Sequence, residues 1–298
     1  MEEKLVTVVI PTYNRAGIIA RAINSAANQT YQNLEIIVVD DGSADDTESA
    51  VRAVGDSRVR YIRQNHANGN VARNRGISEA KGEYIAFLDS DDEWTEDKLS
   101  VQISAMEENN APVSFCGIHQ ISSDGKTKDI LFREKQGDGF VSREFLPSVY
   151  LTTPCIVAKR EVFDDFMFDP DLLKWQDWDW VVRAGEKYGF YYVRKPLLIY
   201  HTSENSISGG SSDEKCIKTV EYLREKHKEW LKKSRSGRLT LVNWAISHKV
   251  RAGIKCTDEY LEYYKITGDK SYYLRYILEK IGLLKFVKKF KRENAKTR

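Results

Sequence analysis

Tyr84-Ile85-Ala86-Phe87-Leu88-Asp89-Ser90-Asp91-Asp92 is an apolar run followed at once by a cluster of carboxylates. A short apolar run of this kind reads as a strand buried on both faces, the sort found in the parallel sheets of α/β proteins. Open sheets of that class bind ligands at the carboxyl ends of their strands, which is where Asp89, Asp91 and Asp92 fall. Hard divalent ions such as Mg2+ and Mn2+ take oxygen ligands and often sit between one or two carboxylates and a substrate phosphate. The cluster therefore suggests a metal holding a diphosphate. Its alternative is a charged turn that ends a strand, because Asp-x-Asp arises often by chance.

Upstream, strand and helix signals alternate. Leu5-Val6-Thr7-Val8-Val9-Ile10 reads as a β-branched strand stopped by Pro11, and Ile18, Ile19, Ala22, Ile23 and Ala26 recur at helical spacing. Glu35-Ile36-Ile37-Val38-Val39 is a second strand ending in Asp40-Asp41-Gly42-Ser43, with a helix beginning near Asp45-Asp46-Thr47. Val59 to Ile62 makes a third strand, Val71 to Ala80 a helix, and Tyr84 to Leu88 a fourth strand. Such alternation implies right-handed crossovers and a mostly parallel sheet with helices on both faces. Pro11-Thr12-Tyr13-Asn14, Asp40-Asp41 and Asp89-Ser90-Asp91 then converge on one crevice. There Asp40 and Asp41 have two readings, a turn favoured for backbone reasons or acceptors for a nucleobase N–H or a ribose hydroxyl. Tyr13 either stacks on a base or packs as an ordinary aromatic. No Gly-x-Gly-x-x-Gly follows the first strand and there is no Walker lysine, which argues against a dinucleotide dehydrogenase and a P-loop enzyme.

Composition sets the frame. At 298 residues, 41% hydrophobic and 30% charged, the chain can bury one large core or a core with a small appendage. A formal charge of +2 gives no reason to expect nucleic acid. Cys116, Cys155, Cys216 and Cys256 lie far apart, so reduced cytoplasmic thiols are the simpler expectation than zinc or disulfides. Acidic Met1-Glu2-Glu3 before a short apolar stretch does not have the form of a signal peptide, and no segment has the length of a membrane span.

The ordered set Val-Ile-Pro-Thr-Tyr-Asn-Arg (9–15), Gln29-Thr30-Tyr31, Val-Val-Asp-Asp-Gly-Ser (38–43), Ala72-Arg73-Asn74, Gly76-Ile77, Lys81-Gly82-Glu83-Tyr84-Ile85 and Phe87-Leu88-Asp89-Ser90-Asp91-Asp92 closely resembles the family 2 glycosyltransferases of GT-A fold. The resemblance spans about residues 4 to 210. It implies a GT-A, Rossmann-like, mixed and mostly parallel sheet over 1–212, with a nucleotide-sugar half at 1–110 and an acceptor half at 111–212. A C-terminal helical region follows at 213–298. It also implies a nucleoside-diphosphate sugar donor, UDP-sugar foremost, a divalent metal (Mn2+ or Mg2+), inversion at the anomeric carbon, and a glycan or lipid-linked acceptor. Carried over by position, Pro11, Tyr13, Asn14, Asp40, Asp41, Arg73, Asp89 and Ser90 would line the donor, and Asp91 with Asp89 would hold the metal. Arg73 has a second reading as a salt bridge on a helix surface.

Trp175-Gln176-Asp177-Trp178-Asp179-Trp180 opens a helix whose positions Trp178, Val181, Val182 and Gly185 mark one buried stripe. Asp177 and Asp179 stand about 200° apart on it and cannot face one cleft. Asp179 precedes Arg183 by one turn and reads as an exposed ion pair. Asp177 falls at the helix start, where it reads either as an N-cap or as a base. The resemblance favours Asp177 as general base, in a motif usually Glu-Asp, with Gln176 replacing the Glu. At an ordinary pKa of about 3.9, Asp177 is expected to be ionised at neutral pH. Trp178 is expected in the core; Trp175 and Trp180 stay open between packing and stacking on sugar.

His201, after the strand-like Pro196 to Tyr200, reads as a satisfied strand-end histidine or as a metal or phosphate contact. Thr202 to Asp213, rich in Ser and Gly, reads as a loop able to close over the donor. Beyond it the chain reads as helices, with Trp230, Leu239, Leu241, Trp244 and Tyr260-Leu261 supplying apolar positions. The last helix places Ile277, Ile281, Leu284 and Val287 on one side and ends in Lys285, Lys288, Lys289, Lys291 and Arg292. That end is either a core-packed helix with a basic tail or a peripheral contact on the inner face of the cytoplasmic membrane. Two rival readings remain: a haloacid-dehalogenase-like phosphatase using Asp89 and Asp91, whose motif belongs at a first strand, and a non-catalytic nucleotide-sugar-binding protein, which would not need Asp177.

Overall fold

The computed structural model describes residues 3–132, 137–149, 151–202 and 212–284. Two compact units divide the chain, Met1–Gly209 and Gly210–Arg298. The first is built on a sheet whose amino-terminal strands are β1 (Val6–Thr12), β2 (Leu34–Asp40), β3 (Val59–Arg63) and β4 (Tyr84–Phe87), joined by helices α1 (Ile19–Ala27), α2 (Thr47–Ala53) and α3 (Gly69–Glu79). β3, β2, β1 and β4 lie side by side in that order and pair in parallel. Every residue of β1 and β4 is buried, as their unbroken apolar runs require of central strands. Successive side chains of β2 point to opposite faces: Ile36 and Val38 join the core that contains Ile19, Ala22 and Ile23 of α1, whereas Ile37 and Val39 pack with Ala72 of α3. Helices thus cover both faces. α3 lies so close to β1 that a Cβ on Gly76 would come 2.3 Å from Cγ1 of Val9.

The first strand does not stop at Pro11 as its sequence suggests, but runs on to Thr12, with Pro11 opposite Val39 of β2. The reason lies in the neighbouring strand. β4 pairs only as far as Phe87 opposite Val9, and the Leu88 N–H donates to the Val9 carbonyl at 3.0 Å. Two residues further on, the side of Pro11 that lacks an N–H faces past the end of β4, where no ladder partner needs it.

Beyond β4 the chain adds β5 (Glu93–Trp94), α4 (Lys98–Glu108), β6 (Val113–Ile121), β7 (Thr127–Ile130), β8 (Gly139–Val141), β9 (Ile156–Lys159), α5 (Arg160–Asp165), α6 (Gln176–Ala184) and β10 (Phe190–His201). The sheet continues β4-β9-β6-β10-β5, with β7 on β6 and β8 on β10. Only β6 and β10 are parallel here; the other pairings in this half are antiparallel. The parallel character therefore belongs to the amino-terminal half of a mixed sheet. Pro196 sits inside β10 at an irregularity in its register with β6, the kind of place a strand tolerates proline.

The second unit holds α7 (Asp213–Lys226), α8 (Lys228–Lys233), α9 (Arg235–Arg251), α10 (Thr257–Thr267) and α11 (Lys270–Lys280). Val242, Ile246, Cys256, Tyr260 and Leu284 form a core cluster within it. Gly268, at φ +76°, ends α10, and the Asp269 carboxylate caps α11 by accepting the Ser271 N–H at 2.9 Å. α11 has no buried residue, and Tyr273, Leu274, Ile277 and Ile281 are exposed. The stretch 203–211, expected from sequence as a loop, and the stretch 285–298 with Lys285, Val287, Lys288, Lys289, Lys291 and Arg292 lie outside the described residues.

Candidate active site

At the carboxyl edge of β1 and β2 two loops are stitched together. The Asp41 N–H donates to the Thr12 carbonyl at 2.9 Å, the Asn14 N–H to Ser43 Oγ at 2.8 Å, and the Ala44 N–H to Asn14 Oδ1 at 2.8 Å. Asn14 does this from φ +51°, a left-handed conformation that asparagine tolerates. Gly42, at φ +84°, passes under the next loop, where a Cβ would meet the His66 backbone nitrogen at 3.0 Å. Asp40 is fully buried: Oδ1 accepts from the Ser43 N–H at 2.8 Å and its Oγ at 2.7 Å, and Oδ2 accepts the Tyr61 hydroxyl at 2.5 Å. Burial and that carboxylate push the Tyr61 phenol well above its usual range. Asp41 accepts from Gln64 Nε2 at 2.7 Å and from the Ala67 N–H at 3.0 Å, and lies 2.9 Å from His66 Nδ1. Both carboxylates thus hold the loop in shape. Tyr13 is the open member of the group, 38% exposed, with its ring stacked on His66 at 4.3 Å. The Thr12 hydroxyl, at the same edge, is buried without a hydrogen-bond partner among the described residues.

Asp89, Ser90, Asp91 and Asp92 follow β4 in a tight turn, closed by the Asp92 N–H on the Asp89 carbonyl at 3.1 Å. Arg73 is buried, not on a helix surface, and its Nη2 donates to Asp89 Oδ1 at 2.5 Å. Arg21 of α1 donates to the Asp91 carbonyl at 2.5 Å and lies 3.4 Å from Glu93, while Arg15 reaches to 4.0 Å from Asp91. His201 pairs with Glu93 at 2.7 Å, and its N–H donates to Asp92 Oδ1 at 3.1 Å. That is the strand-end arrangement, tied to the acidic turn. Ser90 and Asp92 are buried; burial and the neighbouring Asp89 and Asp91 charges raise Asp92 well above the usual carboxylate range. Arg21, Glu93 and His66 carry no local sequence signal, because each pairs with a residue far away in the chain.

Among the described residues, no three His, Cys, Asp or Glu side chains converge as a ready-made metal cage. The acidic turn offers instead two partly open carboxylates, Asp89 at 30% and Asp91 at 33% exposure. Burial, then the charge of Asp89, raises the Asp91 pKa. A cation would relieve that repulsion. Mg2+ and similar ions are commonly held by one or two carboxylates plus substrate phosphates, so this donor set fits a divalent metal that arrives with a diphosphate.

The opposite wall is the start of α6. Trp175, at φ +58° and ψ +29°, is the N-cap, which places Asp177 inside the first turn and not at the cap itself. Its Oδ1 accepts the Trp178 N–H at 2.8 Å, one of the donors a helix start leaves free. Burial pushes the Asp177 pKa up to about 6, against the pull of that N–H and of Arg73, with Asp89 adding to the rise. The ordinary value expected from sequence is thus corrected by desolvation. Asp179 makes the ion pair with Arg183, at 2.8 Å, but is fully buried instead of exposed, because Arg183 also donates to the Met167 carbonyl at 2.8 Å and draws the pair inward. Trp178 is buried, donating to the Pro147 carbonyl at 3.0 Å; Trp180 is buried too, donating to Phe166 at 2.7 Å and stacking on Phe163.

Comparison with known proteins gives a consistent picture. A family model described as Glycosyl transferase family 2 matches residues 7–166. A Rickettsia conorii protein named an uncharacterized glycosyltransferase is 33% identical over 217 residues, covering 71% of this chain but only 34% of that protein, so the chain spans about a third of its length. The GalNAc(5)-diNAcBac-PP-undecaprenol beta-1,3-glucosyltransferase of Campylobacter jejuni is 32% identical over 213 residues, covering 69% of this chain and 68% of the relative. Among solved structures, S. aureus TarS 1-349 in complex with UDP-GlcNAc aligns over 93% of this chain and 92% of its own, with a TM-score of 0.66 at 17% identity. That last likeness establishes the GT-A fold.

Proposed function

Since the chain belongs to glycosyl transferase family 2, we propose that it moves a sugar from a nucleoside-diphosphate sugar to a hydroxyl of a glycan or lipid-linked acceptor, with inversion. The observation that carries this reading is the meeting of two kinds of carboxylate across Arg73. Arg73 grips Asp89 of the acidic turn and at the same time lowers the pKa of Asp177 on the facing helix. UDP-sugar is the donor class expected, and the naming of the Campylobacter jejuni relative for an undecaprenol-diphosphate-linked acceptor supports a polyprenyl-linked glycan here. The phosphatase reading loses its footing, because the acidic pair follows the fourth strand of a family 2 domain.

In this reading Tyr13, with Pro11 and Asn14 shaping its loop, receives the nucleotide, while Asp40 and Asp41 keep the neighbouring loop rigid. Asp91 and Asp89 would hold a divalent ion that offsets charge on the departing diphosphate. Asp177, ionised above about pH 6, takes the proton from the acceptor hydroxyl. The oxygen then forms its bond to the anomeric carbon as the bond to the diphosphate breaks on the opposite side, which inverts the configuration. UDP-glucose, Mn2+ and an N-acetylhexosaminyl-diphosphate lipid provide the test. Acceptor-dependent UDP release is expected, and Asp177→Asn should lower it by about 100-fold or more while leaving metal-dependent UDP binding intact. Full turnover by that variant would remove Asp177 from the mechanism; UDP-sugar binding without any transfer by the wild type would favour the non-catalytic reading.

A lipid-linked acceptor calls for a way to the bilayer. No described helix is long and apolar enough to cross a membrane. Along α11 and its C-cap, however, exposed Tyr273, Leu274, Ile277 and Ile281 fall within an arc of about 100°, together with Lys270 and flanked by Lys280. No carboxylate shares that arc, a pattern suited to lying on anionic headgroups. This is the basis for proposing peripheral attachment to the inner face of the cytoplasmic membrane.

A further inference from the structure

The segment that leads into α6 is held by a row of amides on α3. Asn68 Nδ2 donates to the Pro170 carbonyl at 2.9 Å, and Asn74 exchanges two bonds with the backbone of Phe168, at 2.8 and 3.0 Å. Asn70 makes the central contacts. It is 3% exposed, and its Nδ2 donates to the carbonyls of Asp169 at 2.9 Å and Leu172 at 2.6 Å, using both amide hydrogens. Its Oδ1 accepts from Arg73 Nη1 at 3.3 Å. One side chain therefore touches both the residue that grips Asp89 and the segment that delivers Asp177.

That segment needs holding. Trp175 stands at φ +58°, in the left-handed region, where a bulky residue is strained and persists only if its surroundings dictate it. The Trp175 carbonyl then accepts the Asp179 N–H at 3.0 Å and starts the helix, so the turn at Trp175 sets the direction in which Asp177 leaves. We propose that Asn70 is a positioning residue for Asp177, fixing the turn before α6 to the same helix that orients Arg73. This rests on the reading of Asp177 as the base.

The test compares Asn70→Ala and Asn70→Asp with wild type, using UDP-glucose, Mn2+ and the diphosphate-lipid acceptor. Asn70→Asp keeps an acceptor for Arg73 and removes both donors to the segment. A misplacement of about 1 Å in a reacting group can lower rate by about 100-fold, so each folded variant should lose at least about tenfold in kcat while the donor KM stays within about twofold. Unchanged kcat in either folded variant overturns the proposal. So does a rise in donor KM that matches the loss of kcat, since it would place Asn70 with the donor alone. Should Asn70→Ala not fold, Asn70→Asp decides by the same criteria; should neither fold, Asn70 is a stability residue and the proposal falls. Asp177→Asn run in parallel separates the two readings. Full activity there removes the base, whereas its loss beside active Asn70 variants overturns only the positioning role.

Discussion

Asp177 and Asp179 leave one helix into different surroundings, the first beside the charges of Arg73 and Asp89, the second fully buried against Arg183 at 2.8 Å. Their substitutions should separate accordingly. Asp179→Ala strands the Arg183 charge and should lower stability by roughly 3 kcal/mol or more. For Asp177 the sign is reversed. Its folded pKa of about 6 lies above the unfolded value of about 3.9, so the folded state holds the proton more tightly and stability falls as pH rises through that window. Asp177→Asn removes that penalty and should stabilise the chelator-treated protein by on the order of 1 kcal/mol above pH 7, with no gain below about pH 4. Urea unfolding at the two pH values would show it; equal stability of variant and wild type at neutral pH would contradict the desolvation of Asp177.

Activity should carry the same signature. With a base titrating near 6, kcat/KM should rise about tenfold per pH unit below that value and level off above about pH 7. Arg73 holds this pKa down, so Arg73→Met should move the acidic limb upward. A limb that stays in place in a folded Arg73→Met protein would uncouple the two residues.

Metal removal should act through Asp91. EDTA is expected to abolish transfer, with recovery on adding Mn2+ or Mg2+, and Asp91→Ala should weaken Mn2+-dependent UDP binding by on the order of tenfold or more in calorimetry. Binding that ignores both EDTA and the substitution would exclude this pair as the metal's ligands.

Vesicles test the proposed membrane contact. The full chain should sediment with phosphatidylglycerol vesicles and not with phosphatidylcholine alone, and the binding should weaken with salt. Replacing Leu274, Ile277 and Ile281 together by Glu should abolish it. Retained binding would remove α11 from the contact.

The amino-terminal sheet was legible because its strands are buried on both faces and announce themselves as unbroken apolar runs: β2 and β3 begin and end within a residue or so of their sequence signals. The overrun of β1 through Pro11 was not, since it depends on where β4 stops, a fact about a strand more than seventy residues away. Asp177 and Asp179 were separable by helical angle, yet the full burial of Asp179 was not, because it depends on the Met167 carbonyl drawing Arg183 inward. The amides of Asn68, Asn70 and Asn74 resemble ordinary helix polarity until the carbonyls of residues 168–172 are seen opposite them.

The uneven strand ends of β1 and β4 have a further consequence. β1 extends three residues past the last pairing of β4, from Val9 to Thr12, which is about 10 Å of backbone. Tyr13 follows the longer strand and the Asp89 turn follows the shorter one. In the proposed reading, a donor held by both Tyr13 and the Asp89 turn makes both contacts only as a complete sugar nucleotide, so a sugar phosphate or a nucleoside alone should bind more weakly.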